Sequence, residues 1–215
     1  MRWVMVIDIK KCIGCQGCTI SCKAANCLPS GISWNTLHDE EVGTYPNVSR
    51  YFVPSPCMHC KDPACEEVCP TGATIQREDG IVWVDYDKCM GCKYCIVACP
   101  YQARHINLEE KYYFPGQPTP PEEMSEELFP QKPRVGVTSK CNFCKDIIDE
   151  GLKKGLKPGV DREATPVCVD ICVAKARYFG DLDDPYSEVS RLIKERHGFQ
   201  LHPELGTDPS VYYLL

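Results

Sequence analysis

Seventeen cysteines stand in 215 residues, about 8% of the chain, and sixteen of them fall into four groups of four. The first is Cys12, Cys15, Cys18 and Cys22, a C-x2-C-x2-C-x3-C run. The third, Cys89, Cys92, Cys95 and Cys99, repeats that spacing with Pro100 behind it. The second, Cys57, Cys60, Cys65 and Cys69 before Pro70, widens the middle gap to four residues. In the fourth, Cys141 and Cys144 are separated by 23 residues from Cys168 and Cys172. Cys27 stands alone. An odd count leaves one thiol over from an intramolecular disulfide scaffold, and such scaffolds are short and irregularly spaced.

Three cysteines on a tight loop reach three irons of one [4Fe–4S] cube, and the fourth, three residues on, turns to a second cube, as in bacterial two-cluster ferredoxins. The proline after it has no N–H and a fixed φ, which suits a chain turning there. Gly14, Gly17 and Gly91 leave room for backbone N–H groups to approach sulfur. Structural zinc is the rival for paired C-x2-C motifs. It rarely shows three cysteines at successive x2 spacings, and the fourth group, which alone fits either metal, is needed to supply a reciprocal ligand. Reciprocity then pairs the groups. Cys57, Cys60 and Cys65 join Cys99, and Cys89, Cys92 and Cys95 join Cys69. Cys12, Cys15 and Cys18 join Cys172, and Cys141, Cys144 and Cys168 join Cys22. Four [4Fe–4S] clusters are expected, with Cys27 a buried bystander.

These loops need short elements to hold them. Trp3–Asp8 and residues 80–85 read as strands ending in an acid shortly before a cysteine group, two copies of one strand–loop–helix unit. The expected fold is α+β: two nested two-cluster ferredoxin-like units of short hairpins and short helices. The outer unit spans 1–52 and 134–198, and the inserted one spans 53–107. A proline-rich loop (108–133) and a C-terminal tail (199–215) complete the chain. Pro115, Pro118, Pro120, Pro121, Pro130 and Pro133 make that loop a solvated surface segment or a partner-gripping arm. Lys153, Lys154, Lys157 and Arg162 read as a solvated loop or short helix, with a basic face toward an acidic partner or lipid headgroups as the alternative. Asp184 before Pro185 predicts a helix start, Val189, Leu192 and Ile193 its apolar face, and Gly198 its end. The tail has little reason to fold alone and could wrap over a partner.

Other chemistry is excluded by what the chain lacks. There is no phosphate-binding glycine loop and no nucleophile elbow, so no catalytic residue is expected. A net charge of −6 argues against nucleic acid. No apolar run approaches a membrane span, and Met1–Asp8 is too short for a secretory core and carries no twin arginine. His59, between two ligands, could tune a potential by donating to a sulfur, but is expected as a half-exposed neighbour. Tyr86, Tyr94 and Tyr101 could shield a cluster or simply pack.

The motifs resemble, over nearly the whole chain, the iron–sulfur electron-transfer subunit of dimethyl sulfoxide reductase-family molybdopterin oxidoreductases. The resemblance rests on Cys57-Met58-His59-Cys60, on Cys69-Pro70-Thr71-Gly72-Ala73 and on Asp87-Lys88-Cys89 through Cys99-Pro100-Tyr101. Lys140-Cys141-Asn142-Phe143-Cys144 and Gly180-Asp181-Leu182-Asp183-Asp184-Pro185 complete it. Gly31-Ile32-Ser33-Trp34 and Thr44-Tyr45-Pro46 are nearest the arsenate, polysulfide and thiosulfate reductase type. Val173 departs from the family, which usually has proline there.

The resemblance implies a non-catalytic subunit that relays single electrons through four [4Fe–4S] clusters. Its partners would be a molybdopterin catalytic subunit and a quinone-binding membrane anchor, or a soluble donor or acceptor. It would sit at the membrane through those partners, periplasmic by co-export with the catalytic subunit, or else cytoplasmic. The alternative is a free-standing polyferredoxin shuttling between enzymes. With sixteen thiolates on four oxidised cubes the net charge becomes about −14.

Overall fold

The computed structural model describes residues 1–110, 112–114, 116–123 and 132–215. Strand β1 (Trp3–Asp8) is buried along its whole length. Its neighbours are β8 (Arg177–Asp181), antiparallel, and β9 (Val211–Leu214), parallel, with Val6 opposite both Tyr178 and Tyr212. The period-two alternation of side chains divides β1 between two cores. Trp3, Met5 and Ile7 face the larger core, which contains Phe143, Phe179 and several cysteines. Val4 and Val6 meet Val189 and Leu214 on the other side.

The layer behind that second core is helix α7 (Glu188–Glu195). It presents Val189, Leu192 and Ile193 to the sheet, and the Gly198 amide donates to the Ile193 carbonyl at its end (2.8 Å). The helix begins later than Asp184-Pro185 predicts. Ser187 is the N-cap, its Oγ accepting from the Ser190 amide at 3.2 Å, whereas Asp184 Oδ1 accepts from Tyr186 N and closes the preceding turn.

Residues 199–215, expected as a tail, pack on their own chain. They supply β9, and the Tyr213 hydroxyl donates to the Pro54 carbonyl at 2.9 Å. Arg2 reaches the same segment through Asp208 and Ser210. The physical reason is the burial of Val211, Tyr213 and Leu214 against the chain's own core.

Around this sheet lie three small antiparallel pairs. β2 (Asn35–Thr44) and β3 (Asn47–Pro56) form a ten-residue ribbon, exposed over most of its length. β4 (Thr74–Gln76) pairs with β5 (Val82–Val84), and β6 (His105–Ile106) with β7 (Thr138–Ser139). The expected division at residue 52 falls inside β3. Within the proline-rich loop one turn of helix, α4 (Pro120–Glu123), is described. Pro115 and Pro130 lie outside the described residues. Among the described residues no helix is long and apolar enough to cross a membrane.

The other α-helices among the described residues are α1 (Gly17–Ala25), α2 (Ala64–Glu67), α3 (Tyr94–Ala98), α5 (Lys145–Lys153) and α6 (Val167–Asp170). All but α4, α5 and α7 carry cysteines of the four groups. On the basic segment, Lys154 pairs with Glu163 and Arg162 with Asp170, both at the surface.

Candidate functional site

All four cysteine groups use one type of loop. The residue just before the second cysteine has a left-handed backbone in each: Gly14 (φ 68°), Gly91 (72°), His59 (44°) and Phe143 (54°). Glycine adopts this without strain. At Gly14 it also makes room, because an added Cβ would lie 2.6 Å from the Phe52 ring. The entry to groups one and three is equivalent too. The Cys12 amide donates to the Asp8 carbonyl and the Cys89 amide to the Asp85 carbonyl, each at 3.1 Å.

A second left-handed residue lies three positions after the last cysteine: Gly72 (φ 62°), Gln102 (52°) and Lys175 (48°). It swings the following amides back toward sulfur. Thr74 N–H donates to Cys69 Sγ at 3.5 Å, and Ala176 N–H to Cys172 Sγ at 3.3 Å. The turn after Cys172 therefore closes without the proline that Val173 replaces. After Cys22 helix α1 continues instead, and the Asn26 side chain supplies the donor at 3.7 Å.

The thiols assemble into four sets. Cys12, Cys15, Cys18 and Cys172 line one cavity, site I. Cys57, Cys60, Cys65 and Cys99 line another, site III. Cys69, Cys89, Cys92 and Cys95 line a third, site IV. Site II is a buried group: desolvation, then the neighbouring Cys141, Cys168 and Cys144, push the Cys22 thiol well above its ordinary range. Among the described residues no three His, Cys, Asp or Glu side chains converge on a position for a single ion. At sites I, III and IV the four thiols line a common cavity.

Burial sets the thiol electrostatics. It pushes Cys60 up to about 12, with help from Cys57, and Cys141 also to about 12. Low polarity disfavours the thiolate, so ligation here must be accompanied by release of protons. Cys69 is the exception. Against its partial burial, the Thr74 amide, the Thr71 hydroxyl and the Ala73 amide pull it down to about 7.

Several polar groups aim at these sites. Arg104 Nη2 donates to Cys65 Sγ at 2.8 Å, and Asn35 Nδ2 to Cys18 Sγ at 3.2 Å. Arg104 Nε, Arg177 Nε and Nη1, and His59 Nε2 are buried without a protein partner. Buried donors are otherwise nearly always paired. Anionic clusters framed by the thiol sets fit this surplus of donors.

The sites follow one another in the order I, II, III, IV. Cys18 of site I is near enough to Cys168 of site II to resist its ionisation, and Cys57 of site III does the same to Cys141 of site II. At that second junction the two left-handed loop residues meet: the His59 and Phe143 rings stack with centroids 3.6 Å apart. Lys140 fills the space beside them, its ammonium donating to the Val82 and Cys141 carbonyls. Arg104 lines both site III and site IV.

His59 is thus not half-exposed. It is 1% exposed, and its Nδ1 accepts from the Val82 amide at 3.0 Å, which makes the imidazole neutral with the proton on Nε2. Tyr101 lines site III and its hydroxyl meets Thr207 at 2.7 Å, whereas Tyr94 is exposed. Cys27, expected to be buried, is half-buried and lines none of the cavities at sites I, III and IV. Arg104, Arg177, Asn35 and Phe143 were missed as site residues. The signal for the arginines was a second repeat, C-x3-A-R, at Cys99–Arg104 and Cys172–Arg177.

Residues 48–114 match the family model of the 4Fe-4S dicluster domain. The chain is 43% identical to a subunit of the selenate reductase of Mesobacillus selenatarsenatis, across all of this chain and 72% of that one. It is 37% identical to the arsenate respiratory reductase iron-sulfur subunit of a Shewanella species, covering 100% and 96% of the two chains. It is also 36% identical to the iron-sulfur cluster-binding subunit of menaquinone reductase from Nitratidesulfovibrio vulgaris, covering 100% and 89%. Identity at this level over the full chain, together with the cysteine loops, places it in a family: the chain belongs to the iron–sulfur electron-transfer subunits of the dimethyl sulfoxide reductase-family molybdopterin oxidoreductases.

Proposed function

We propose that the protein carries four [4Fe–4S] clusters and relays single electrons between a molybdopterin catalytic subunit and a quinone-linked membrane partner. The observation that carries this reading is the serial order of four cysteine sets, each made of three thiols from one group and one from another. A [4Fe–4S] cluster supplies reversible one-electron chemistry when bound, at a potential tuned by its surroundings. The chain's own residues would do the rest. The sixteen cysteines of sites I to IV would hold the clusters. The Thr74, Ala176, Asn35 and Arg104 donors would stabilise charge on sulfur, and the hydrophobic core between the sites would exclude water.

Two nested units follow from the pairing. An outer one would be built from sites I and II with the β8–β1–β9 sheet, and an inner one from sites III and IV with the β4–β5 hairpin. The ends of the series are the natural entry and exit. Ile13, Ile171 and Val173 are exposed beside site I, and Met90, Tyr94 and Val97 beside site IV. Exposed apolar residues over a redox centre suit docking faces. Menaquinone in the name of one relative supports a quinone-linked partner, and attachment to the membrane would come through that partner, on the periplasmic side if the complex is exported folded.

The test is to purify the protein from its native host without detergent and then with it. The expected result is a detergent-requiring complex containing a large molybdenum- or tungsten-binding chain, in which menaquinol reduces the iron–sulfur chromophore. Isolation as a soluble chain alone that still exchanges electrons with several enzymes would favour the free polyferredoxin.

A further inference from the structure

We propose that Arg104 and Arg177 are equivalent counter-charges, one in each two-cluster unit, that hold up the reduction potentials of the clusters on either side. The proposal rests on the cluster reading above. It starts from the repeat Cys99-Pro100-Tyr101-Gln102-Ala103-Arg104 and Cys172-Val173-Ala174-Lys175-Ala176-Arg177, in which Gln102 and Lys175 share the left-handed backbone and Ala103 and Ala176 are both buried. Both arginines are 4% exposed. The corresponding residue of the second group is Thr74, which receives Arg104 Nη1 at 3.0 Å, and that of the first is Cys27. Each pair of groups therefore carries one arginine, always after its later cysteine pair.

Their surroundings match as well. Arg104 lines the cavities of sites III and IV and donates to Cys65 Sγ. Arg177 lines site I and lies beside Cys168 and Cys141 of site II. Its Nη2 donates to Asn35 Oδ1 at 2.7 Å. Among the described residues neither guanidinium forms an ion pair with a carboxylate, and three of their buried nitrogens have no hydrogen-bond partner. A buried cation without an anion is costly, and guanidinium cannot shed its proton to escape that cost. The anions that remain are thiolate-ligated clusters, and the unpartnered forks give them donors. Reduction adds one negative charge to a cluster, so a fixed cation beside it favours the reduced form. Lys140 is a third buried cation, but it lies at the junction of sites II and III and faces Cys141 and Cys65 alike, so it does not distinguish the two units.

The experiment is an EPR-monitored redox titration of the whole complex carrying Arg104→Gln, Arg104→Lys, Arg177→Gln or Arg177→Lys, with iron and sulfide measured on each. In Arg104→Gln the reduced-to-oxidised ratio of the site III and IV clusters should fall about tenfold at a fixed potential. That corresponds to a midpoint about 59 mV lower for one electron, with sites I and II moving less than about twofold. Arg177→Gln should give the mirror result. The lysine variants keep the charge and should stay within about threefold of wild type. Fully loaded glutamine variants with unchanged potentials would overturn the proposal, and so would a uniform shift of all four. Should a glutamine variant fail to load iron, its lysine counterpart decides: normal potentials support the counter-charge, and loss of clusters there assigns the arginine to packing. A wild-type complex lacking the iron and sulfide would instead sink the cluster reading itself.

Discussion

Quinone-linked turnover of a complex carrying Cys99→Ala is expected to fall to background, while turnover driven by an artificial donor acting directly on the catalytic subunit is retained. Cys99 lies in site III, the third in a series of four, and it comes from a different loop than its companions Cys57, Cys60 and Cys65. Its thiol is raised by burial and by Cys57, opposed by the Ala103 and Tyr101 amides, so it is built into the site rather than peripheral to it. Losing it opens a gap between sites II and IV, and electron tunnelling declines steeply with distance. The split between the two assays separates a broken relay from a damaged partner. Cys27→Ala serves as the control. That residue lies outside the four sets, and both activities should stay within about twofold. Survival of quinone-linked turnover in Cys99→Ala would show that electrons do not pass through site III.

Removing residues 211–215 is expected to destabilise the protein by about 6 kcal/mol or more. Val211, Tyr213 and Leu214 are fully buried, and each such side chain is worth roughly 1.5–3 kcal/mol. The Tyr213–Pro54 hydrogen bond adds about 1 kcal/mol, and β1 loses its parallel neighbour. Total stabilities run at about 5–15 kcal/mol, so the truncated chain should bleach its chromophore at a temperature at least about 10 °C lower, or fail to accumulate. Removing Leu215 alone, which is exposed, should change little. Unaltered thermal bleaching after the longer deletion would mean that β9 is dispensable.

That strand also shows where sequence reading stops. Met5 and Val211 are paired although nearly the whole chain lies between them, and nothing local in Val211-Tyr212-Tyr213-Leu214 names β1 as its partner. The C-x2-C and C-x3-C pairs are readable because their spacing is local, whereas the 23 residues between Cys144 and Cys168 carry no such signal. Trp3–Asp8 was legible because an unbroken apolar run admits few other fates, and the face of α7 because Val189, Leu192 and Ile193 recur at helical spacing.

The long β2–β3 ribbon has no signature in the sequence because its outer part is polar and exposed on both faces, with Glu40 opposite Tyr51 and Glu41 opposite Arg50, so no alternation marks it. The left-handed backbones of His59 and Phe143 were hidden because neither is glycine. They occupy the same loop position as Gly14 and Gly91 and share their backbone conformation. Arg104 and Arg177 are marked in the sequence by the C-x3-A-R repeat and not by any ligand spacing of their own.

The central claim is four clusters in one chain. It is tested most directly by integrating the EPR signal of the fully reduced native complex, with iron, acid-labile sulfide and zinc measured on the same sample. The account predicts about four unpaired electrons and about sixteen irons in this chain, once any centres of the partner subunits are subtracted, with lines broadened by coupling between neighbouring clusters. Two spins and about eight irons, with zinc in the remaining cysteine sets, would contradict it.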